Sequence, residues 1–333
     1  MRIVRLNAET YPLTEDERRE YALIHAEVKE MEGVNVSDPA FRQADAIVVV
    51  AAKLRRDTIS MLDKCRVIAR YGTGVDNVDI ADATERGIVV MNYPDFCVID
   101  MAEHTMALLL AASRQILTMD ACTRSGQWDA RTRIPVHRVS GLRLGLLGFG
   151  RIAQAVATRA MSFGMSVVFH DSFVGVPSVS LPVAAVPFDE LLATSDFLSL
   201  HIPLSEKTRH VISEQQFLKM RRSAILINTA RGAIVDEKAL VRALSEGWIA
   251  GAGIDVYEEL NMFSVPASVP SHPLLSMKNV ILTPHCGGCS VESLEELMRE
   301  GARQLVAFLL GETPRNVVNP EALPNMMRKV LGS

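Results

Sequence analysis

The chain has 333 residues, 48% of them hydrophobic and 22% charged, with a net charge of −4. That size suits two globular domains, the charge offers no basic face to nucleic acid, and no apolar run approaches the ~18 residues that span a bilayer. Met1-Arg-Ile-Val-Arg-Leu-Asn lacks the apolar stretch of a signal peptide and reads as the first strand of a cytoplasmic protein.

Strand-like and helix-like runs alternate from there on. Strands are expected at residues 3–6, 47–50, 67–69 and 88–91, forming a first lobe. A long helix follows at 99–119, with Asp100 as its N-cap and Glu103 at capping-box spacing. Its centre, 106–112, is apolar nearly all round, which points to burial or an oligomer interface. Further strands are expected at 144–147, 166–170, 197–200, 224–227, 252–254 and 280–282, and a last helix at 291–310 capped by Ser290. Short apolar strands between amphipathic helices imply an α/β protein with parallel sheets covered on both faces. The last helix is expected to return to the first lobe. This gives a discontinuous domain, 1–98 with 291–333, around a second domain at 99–290.

The second domain opens on Gly145-Leu146-Leu147-Gly148-Phe149-Gly150-Arg151-Ile152-Ala153. Gly148 permits a tight turn after a strand, Gly150 lets backbone approach a pyrophosphate, and Ala153 sits where helix meets strand closely. Arg151 and Ile152 open a helix whose N-terminus faces the phosphates. Asp171 ends the next strand, where a carboxylate accepts from ribose hydroxyls and repels a 2′-phosphate. No arginine follows in Ser172-Phe173-Val174-Gly175, which favours NAD over NADP.

Three further residues end predicted strands, at the edge where open α/β sheets bind ligands. Arg231 can hold a carboxylate through two parallel hydrogen bonds; alone it reads equally as a surface arginine. Asp255 can accept from a carboxamide or serve as a helix cap. His285 suits proton transfer near neutral pH, and the strand before it and Gly287-Gly288 after it favour that over a solvated ring. A cation, an acid and an imidazole beside a nicotinamide suit reduction of a 2-keto acid.

In chain order, Tyr71-Gly-Thr73-Gly74-Val-Asp-Asn-Val-Asp79, Met101-Ala-Glu-His-Thr105, Gly148-Phe-Gly-Arg151-Ile152, His201-Ile-Pro203, Asn228-Thr-Ala-Arg231-Gly232, Gly251-Ala-Gly-Ile-Asp255-Val256 and Thr283-Pro-His285 resemble the D-isomer-specific 2-hydroxyacid dehydrogenases. The resemblance covers almost the whole chain. It implies a Rossmann NAD-binding domain plus a smaller flavodoxin-like substrate domain, with NAD as cofactor and a small 2-keto or 2-hydroxy acid as substrate. It implies that Thr73 and Gly74 meet substrate carboxylate and cofactor, that Arg231 binds the keto acid, and that His285 is acid in reduction and base in oxidation. Asp255 would meet the nicotinamide, and Pro203, Thr208, Thr229, Ala230 and Gly287 would line the cofactor. The helix after Ile99 would form much of a homodimer interface. Lys53, Tyr93 and Phe96 are candidates for specificity. A regulatory C-terminal domain, as some phosphoglycerate dehydrogenases carry, is expected to be absent.

One departure matters. The family places a catalytic glutamate five residues after the Asp255-type acid, and here that position is Leu260, with Glu259 one residue early. A nearby carboxylate raises an imidazole's pKa, so without Glu259 the reduction is expected to favour lower pH or be weak. A one-residue shift of the loop would restore the pair. Phe96-Cys-Val98 and Met298-Arg-Glu300 also resemble the C-terminal-binding-protein corepressors, whose alternative is an NAD(H)-sensing module with little turnover. Cys286-Gly-Gly-Cys289 has metal or redox spacing, but zinc needs about two more ligands and no second pair fits; no metal is expected.

Overall fold

The protein is described by a computed structural model covering residues 1–172, 181–263 and 268–323. It divides into two compact units, Met1–Cys97 with the chain from Val291 on, and Val98–Ser290.

The first unit is a parallel sheet of β1 (Arg2–Leu6), β2 (Glu27–Met31), β3 (Ala46–Val49), β4 (Val67–Arg70) and β5 (Val89–Met91), in the order β2-β1-β3-β4-β5. This is the order of flavodoxin-like doubly wound sheets. Alternate residues feed two separate cores, which is why β3, β4 and β5 read as nearly unbroken apolar runs. Ile3, Val48, Ala69 and Val89 join one core, and Val4, Ile47, Ile68 and Val90 the other. The helix Val291–Leu309 supplies Leu297, Met298, Ala302, Leu305 and Phe308 to the first of these. Arg5 is fully buried and paired with equally buried Glu17 at 2.8 Å, and it also donates to the Tyr11 carbonyl and faces Met298 Sδ at 3.3 Å.

The second unit is a parallel sheet of β6 (Arg143–Leu147), β7 (Ser166–His170), β8 (Ala184–Ala185), β9 (Phe197–Leu200), β10 (Ile225–Asn228), β11 (Gly251–Ile254) and β12 (Val280–Leu282). Its order, β12-β11-β10-β9-β6-β7-β8, reverses direction between β6 and β9, the switch point of a Rossmann sheet. Register aligns the strand ends: Leu147 pairs with His170 and Leu200, Leu200 with Asn228, Asn228 with Ile254, and Ile254 with Leu282. Whatever follows those residues therefore emerges along one edge.

Two sequence expectations are corrected. The helix expected at 99–119 is two helices, Val98–Ser113 and Ile116–Arg124, separated by Gln115 in the left-handed region at φ 54°. The apolar pattern runs across the break and so hid it. Asp100 lies inside the first turn, where a carboxylate complements the helix dipole, and is not the N-cap. Strands β2 and β8 were not expected. Glu27–Met31 lies at a sheet edge and leaves most of its side chains toward solvent, and β8 has two residues. Among the described residues no helix is long and apolar enough to cross a membrane.

Candidate active site

The glycine-rich turn follows β6. Gly148 has φ 91°, and a Cβ there would lie 2.5 Å from the His201 carbonyl oxygen, so both backbone shape and space require glycine. Phe149 is buried and stacks on Phe169, with centroids 4.1 Å apart, which pins the turn. A Cβ on Gly150 would meet nothing within 4 Å, so the backbone there is open to a ligand. Gly150 is the N-cap of the helix Arg151–Ser162 and has no side chain to cap it, and the positive end of the helix dipole there favours an anion. Ile152 is half-buried, and Ala153 is fully buried. Asp171 sits just past β7 and accepts the Phe149 N–H at 2.7 Å, so its carboxylate is held beside the turn. This arrangement fits a dinucleotide. Residues 173–175 of the NAD argument lie outside the described residues.

Across the switch point, burial of the His201 ring pushes its pKa down to about 4, and its Nε2 lies 2.9 Å from Ser199 Oγ. Thr208 closes the following loop, its hydroxyl donating to the Pro203 carbonyl at 2.7 Å. Past β10, Asn228 braces the next turn: its side-chain oxygen accepts from Ala230 N at 3.1 Å and its amide donates to the Arg231 carbonyl at 3.0 Å. The Thr229 hydroxyl meets Thr105 Oγ1 at 3.0 Å, and the Arg231 guanidinium donates to the Ala230 carbonyl at 2.7 Å.

Asp255, past β11, is almost fully buried and heavily hydrogen-bonded. Oδ1 accepts from Thr283 Oγ1 at 2.6 Å and Cys286 N at 3.0 Å; Oδ2 accepts from Gly287 N at 3.0 Å. His104 Nε2 lies 3.4 Å from Oδ1 and 3.0 Å from Thr283 Oγ1. Since the Thr283 hydrogen goes to Asp255, its oxygen accepts from His104, which makes Nε2 the protonated nitrogen. Burial pulls the Asp255 carboxyl up, but His104, Thr283 and the two backbone N–H groups outweigh it and hold the acid below its ordinary range. His104 is therefore part of this cluster. Its only sequence signal was its place in Met101-Ala-Glu-His-Thr105.

His285, past β12, is in the left-handed region at φ 56°, and its ring packs against Phe263 at 4.9 Å between centroids. Glu259 lies with Lys238 at 3.9 Å and His272 at 3.7 Å, while Glu258 is held by Arg209 and, at 2.8 Å, by His210. Buried Glu237, which no sequence pattern marked, accepts the Glu258 N–H at 2.8 Å and faces half-buried His272 at 2.9 Å. Residues 264–267 of the adjoining loop lie outside the described residues.

In the first unit, Thr73 and Gly74 follow β4. The Thr73 carbonyl accepts from Asn92 at 2.7 Å, and its hydroxyl lies 3.7 Å from Cys97 Sγ. Tyr93 is buried, its hydroxyl donating to the Gly301 carbonyl at 3.0 Å.

Comparison with known proteins agrees with this edge. Residues 106–287 match the D-isomer specific 2-hydroxyacid dehydrogenase, NAD binding domain. The chain is 41% identical over 287 residues to a glyoxylate reductase of Korarchaeum cryptofilum, covering 85% of each protein. A D-lactate dehydrogenase from Aquifex aeolicus, solved with NAD and lactic acid, superposes with a TM-score of 0.84 at 27% identity, over 95% of this chain and 99% of that one. An NADPH-dependent glyoxylate/hydroxypyruvate reductase from Sinorhizobium meliloti, solved with NADP and malonate, gives 0.82 at 29% identity, over 96% and 97%. A nucleotide-binding turn at the switch point, a row of polar residues on neighbouring strand ends and these matches agree: the chain belongs to the D-isomer specific 2-hydroxyacid dehydrogenases and is an oxidoreductase of that family.

Proposed function

We propose that the enzyme uses NAD(H), in preference to NADP(H), to interconvert a small D-2-hydroxy acid and its 2-keto acid, in the glyoxylate and hydroxypyruvate range. The observation that carries this reading is the alignment of Arg231, Asp255 and His285 after the neighbouring strands β10, β11 and β12. The name of the Korarchaeum relative supports the substrate range. Asp171 supports NAD, because a held carboxylate beside the turn repels a 2′-phosphate.

The bound cofactor supplies or accepts the hydride. Arg231 holds the substrate carboxylate and polarises its carbonyl. His285 gives a proton to the carbonyl oxygen in reduction and takes it back in oxidation. Asp255, kept ionised by Thr283, two backbone N–H groups and nearby His104, would accept from the carboxamide and so orient the nicotinamide. By the family resemblance, Thr73 and Gly74 add hydrogen bonds to the substrate carboxylate, and Pro203, Thr208, Thr229, Ala230 and Gly287 line the cofactor. The same resemblance supports a homodimer through the helices that begin at Val98, on which Ile99, Ile116 and Leu117 are exposed. Light scattering reads that state directly.

The test is oxidation of NADH and of NADPH over a panel of 2-keto acids from pH 5.5 to 8, with Arg231→Ala and Glu259→Gln alongside. Turnover that depends on Arg231 and favours NADH is expected. Tight NADH binding without turnover of any acid would refute the reading. An unchanged pH profile in Glu259→Gln would remove that residue from the chemistry.

A further inference from the structure

The pair Cys286 and Cys289 is used by nothing above, yet it occupies the turn that holds Asp255. The Cys289 N–H closes the turn onto the Cys286 carbonyl at 3.0 Å. Such a four-residue turn brings its end Cα atoms within ~7 Å, and a disulfide spans Cα separations of ~4.4–6.8 Å. The backbone already has the reach for a bond. The two sulfurs are directed differently. Cys286 Sγ is half-buried, with the ligand atoms of His104 and Asp255 all within 4.8 Å of one another and of it. Cys289 is exposed, its Sγ 3.8 Å from the His285 carbonyl oxygen.

There is no slack between this turn and the site. Cys286 N and Gly287 N are two of the donors to Asp255. A Cβ on Gly287 would lie 3.0 Å from Asp255 Oδ2 and 3.1 Å from both His104 Cδ2 and Met101 Sδ. Drawing the Cys286 sulfur out toward Cys289 means swinging it away from Asp255, on a backbone that has no room to follow without disturbing those hydrogen bonds.

We infer that Cys286 and Cys289 form a reversible oxidation site, closed to an intramolecular disulfide by a low-molecular-weight disulfide, and that closure weakens nicotinamide binding at Asp255. The steps balance. Exposed Cys289, as thiolate, attacks the small disulfide, forming a mixed disulfide and releasing one thiol. Burial and the Asp255 carboxylate hold the Cys286 thiol above its ordinary range, so it loses its proton to solvent as the sulfur swings out, then attacks the Cys289 sulfur and releases the second thiol. Two protein thiols have lost two electrons and two protons, and the small disulfide has become two thiols. The effect on binding rests on the role proposed for Asp255; formation of the bond does not.

Coupling between two sites is reciprocal. If closure weakens NADH binding about tenfold, within the usual range for coupled sites, saturating NADH disfavours closure by the same factor. That corresponds to about 30 mV in the potential of the pair.

The experiment treats the reduced full-length protein with glutathione disulfide and follows intact mass, peptide mapping and NADH fluorescence, for wild type, Cys286→Ser and Cys289→Ser. Wild type should lose the mass of two hydrogens, map the bond to these residues, bind NADH about tenfold more weakly and recover with dithiothreitol. Cys286→Ser should stop at a glutathione adduct on Cys289, and Cys289→Ser should keep its NADH affinity through treatment. Absence of the 286–289 bond in treated wild type overturns the inference, as does a bond that leaves NADH affinity unchanged. Failure of the proposed reaction is seen separately, as a reduced enzyme that turns over no keto acid.

Discussion

Replacing Glu237 should release the loop that brings Phe263 to His285. The Glu237 side chain is 5% exposed and touches both stems of that loop, through the Glu258 N–H at 2.8 Å and His272 Nε2 at 2.9 Å. The imidazole is oriented by its other nitrogen. Nδ1 accepts the Leu274 N–H at 3.3 Å, which turns Nε2 toward Glu237. Oε1 lies close to Nε2 but is not hydrogen-bonded to it. In Glu237→Ala the Glu258 N–H loses its acceptor. A buried, unpaired polar group costs about 1–3 kcal/mol, so the variant should lose about that much. The lower half of that range is favoured, because Glu258 is only half-buried and water can reach its N–H. Glu237→Gln keeps one acceptor oxygen and should lose about half as much. Urea unfolding reads the change in midpoint at constant slope. Keto-acid turnover should fall in both variants more than NADH affinity does, since the glycine-rich turn makes no use of this loop. A loss below about 0.5 kcal/mol in Glu237→Ala, the level of an ordinary surface change, would refute the account of how the loop is held.

Three other outcomes follow from buried groups. His201 titrates near 4 in the folded chain against an ordinary 6.5, so below pH 6.5 the unfolded state binds a proton that the folded state refuses. Stability should therefore fall by up to about 3 kcal/mol as pH drops from 6.5 to 4, and His201→Gln should flatten that part of a urea-midpoint profile. Gly148→Ala forces a Cβ against the His201 carbonyl at a left-handed φ; NADH binding by fluorescence should be lost, with a thermal midpoint lower by the equivalent of about 1–3 kcal/mol for the strained residue. Removing Arg5 as Arg5→Ala leaves Glu17 charged and buried, at a cost of about 3–5 kcal/mol, whereas Arg5→Met with Glu17→Leu should recover most of it in the same unfolding assay.

Most strands were readable because they bury both faces: Ile47 and Val48 feed opposite cores, so β3 carries no polar residue. Glu27–Met31 escaped notice for the same reason in reverse, since an edge strand with exposed faces has no apolar signature. The left-handed Gln115 was hidden because apolar spacing continues on either side of one reversed dihedral. The glycine-rich turn, Asp171, Arg231, Asp255 and His285 stood out by their place after strands, a position the alternation of elements already defines. His104, Glu237 and His272 were not. Each acquires its meaning from a partner far away in the chain, His104 from Thr283 and Glu237 from His272, and nothing local distinguishes such a residue from a solvated one.

The interrupted construction of the first unit has a consequence for how the protein is made. A ribosome delivers β1 to β5 first, but the core over one face of that sheet is completed by Leu297, Met298, Ala302, Leu305 and Phe308. Asn319 also reaches back, accepting the Val90 N–H at 2.7 Å and donating to the Ile88 carbonyl at 2.9 Å. The second unit is one uninterrupted stretch and has every strand of its sheet in hand before those residues are synthesised. The part that emerges first is thus the last that can close, and until then it shows nascent-chain chaperones an uncovered apolar sheet face. Errors in translation or early termination near the end of the message would strike the beginning of the fold.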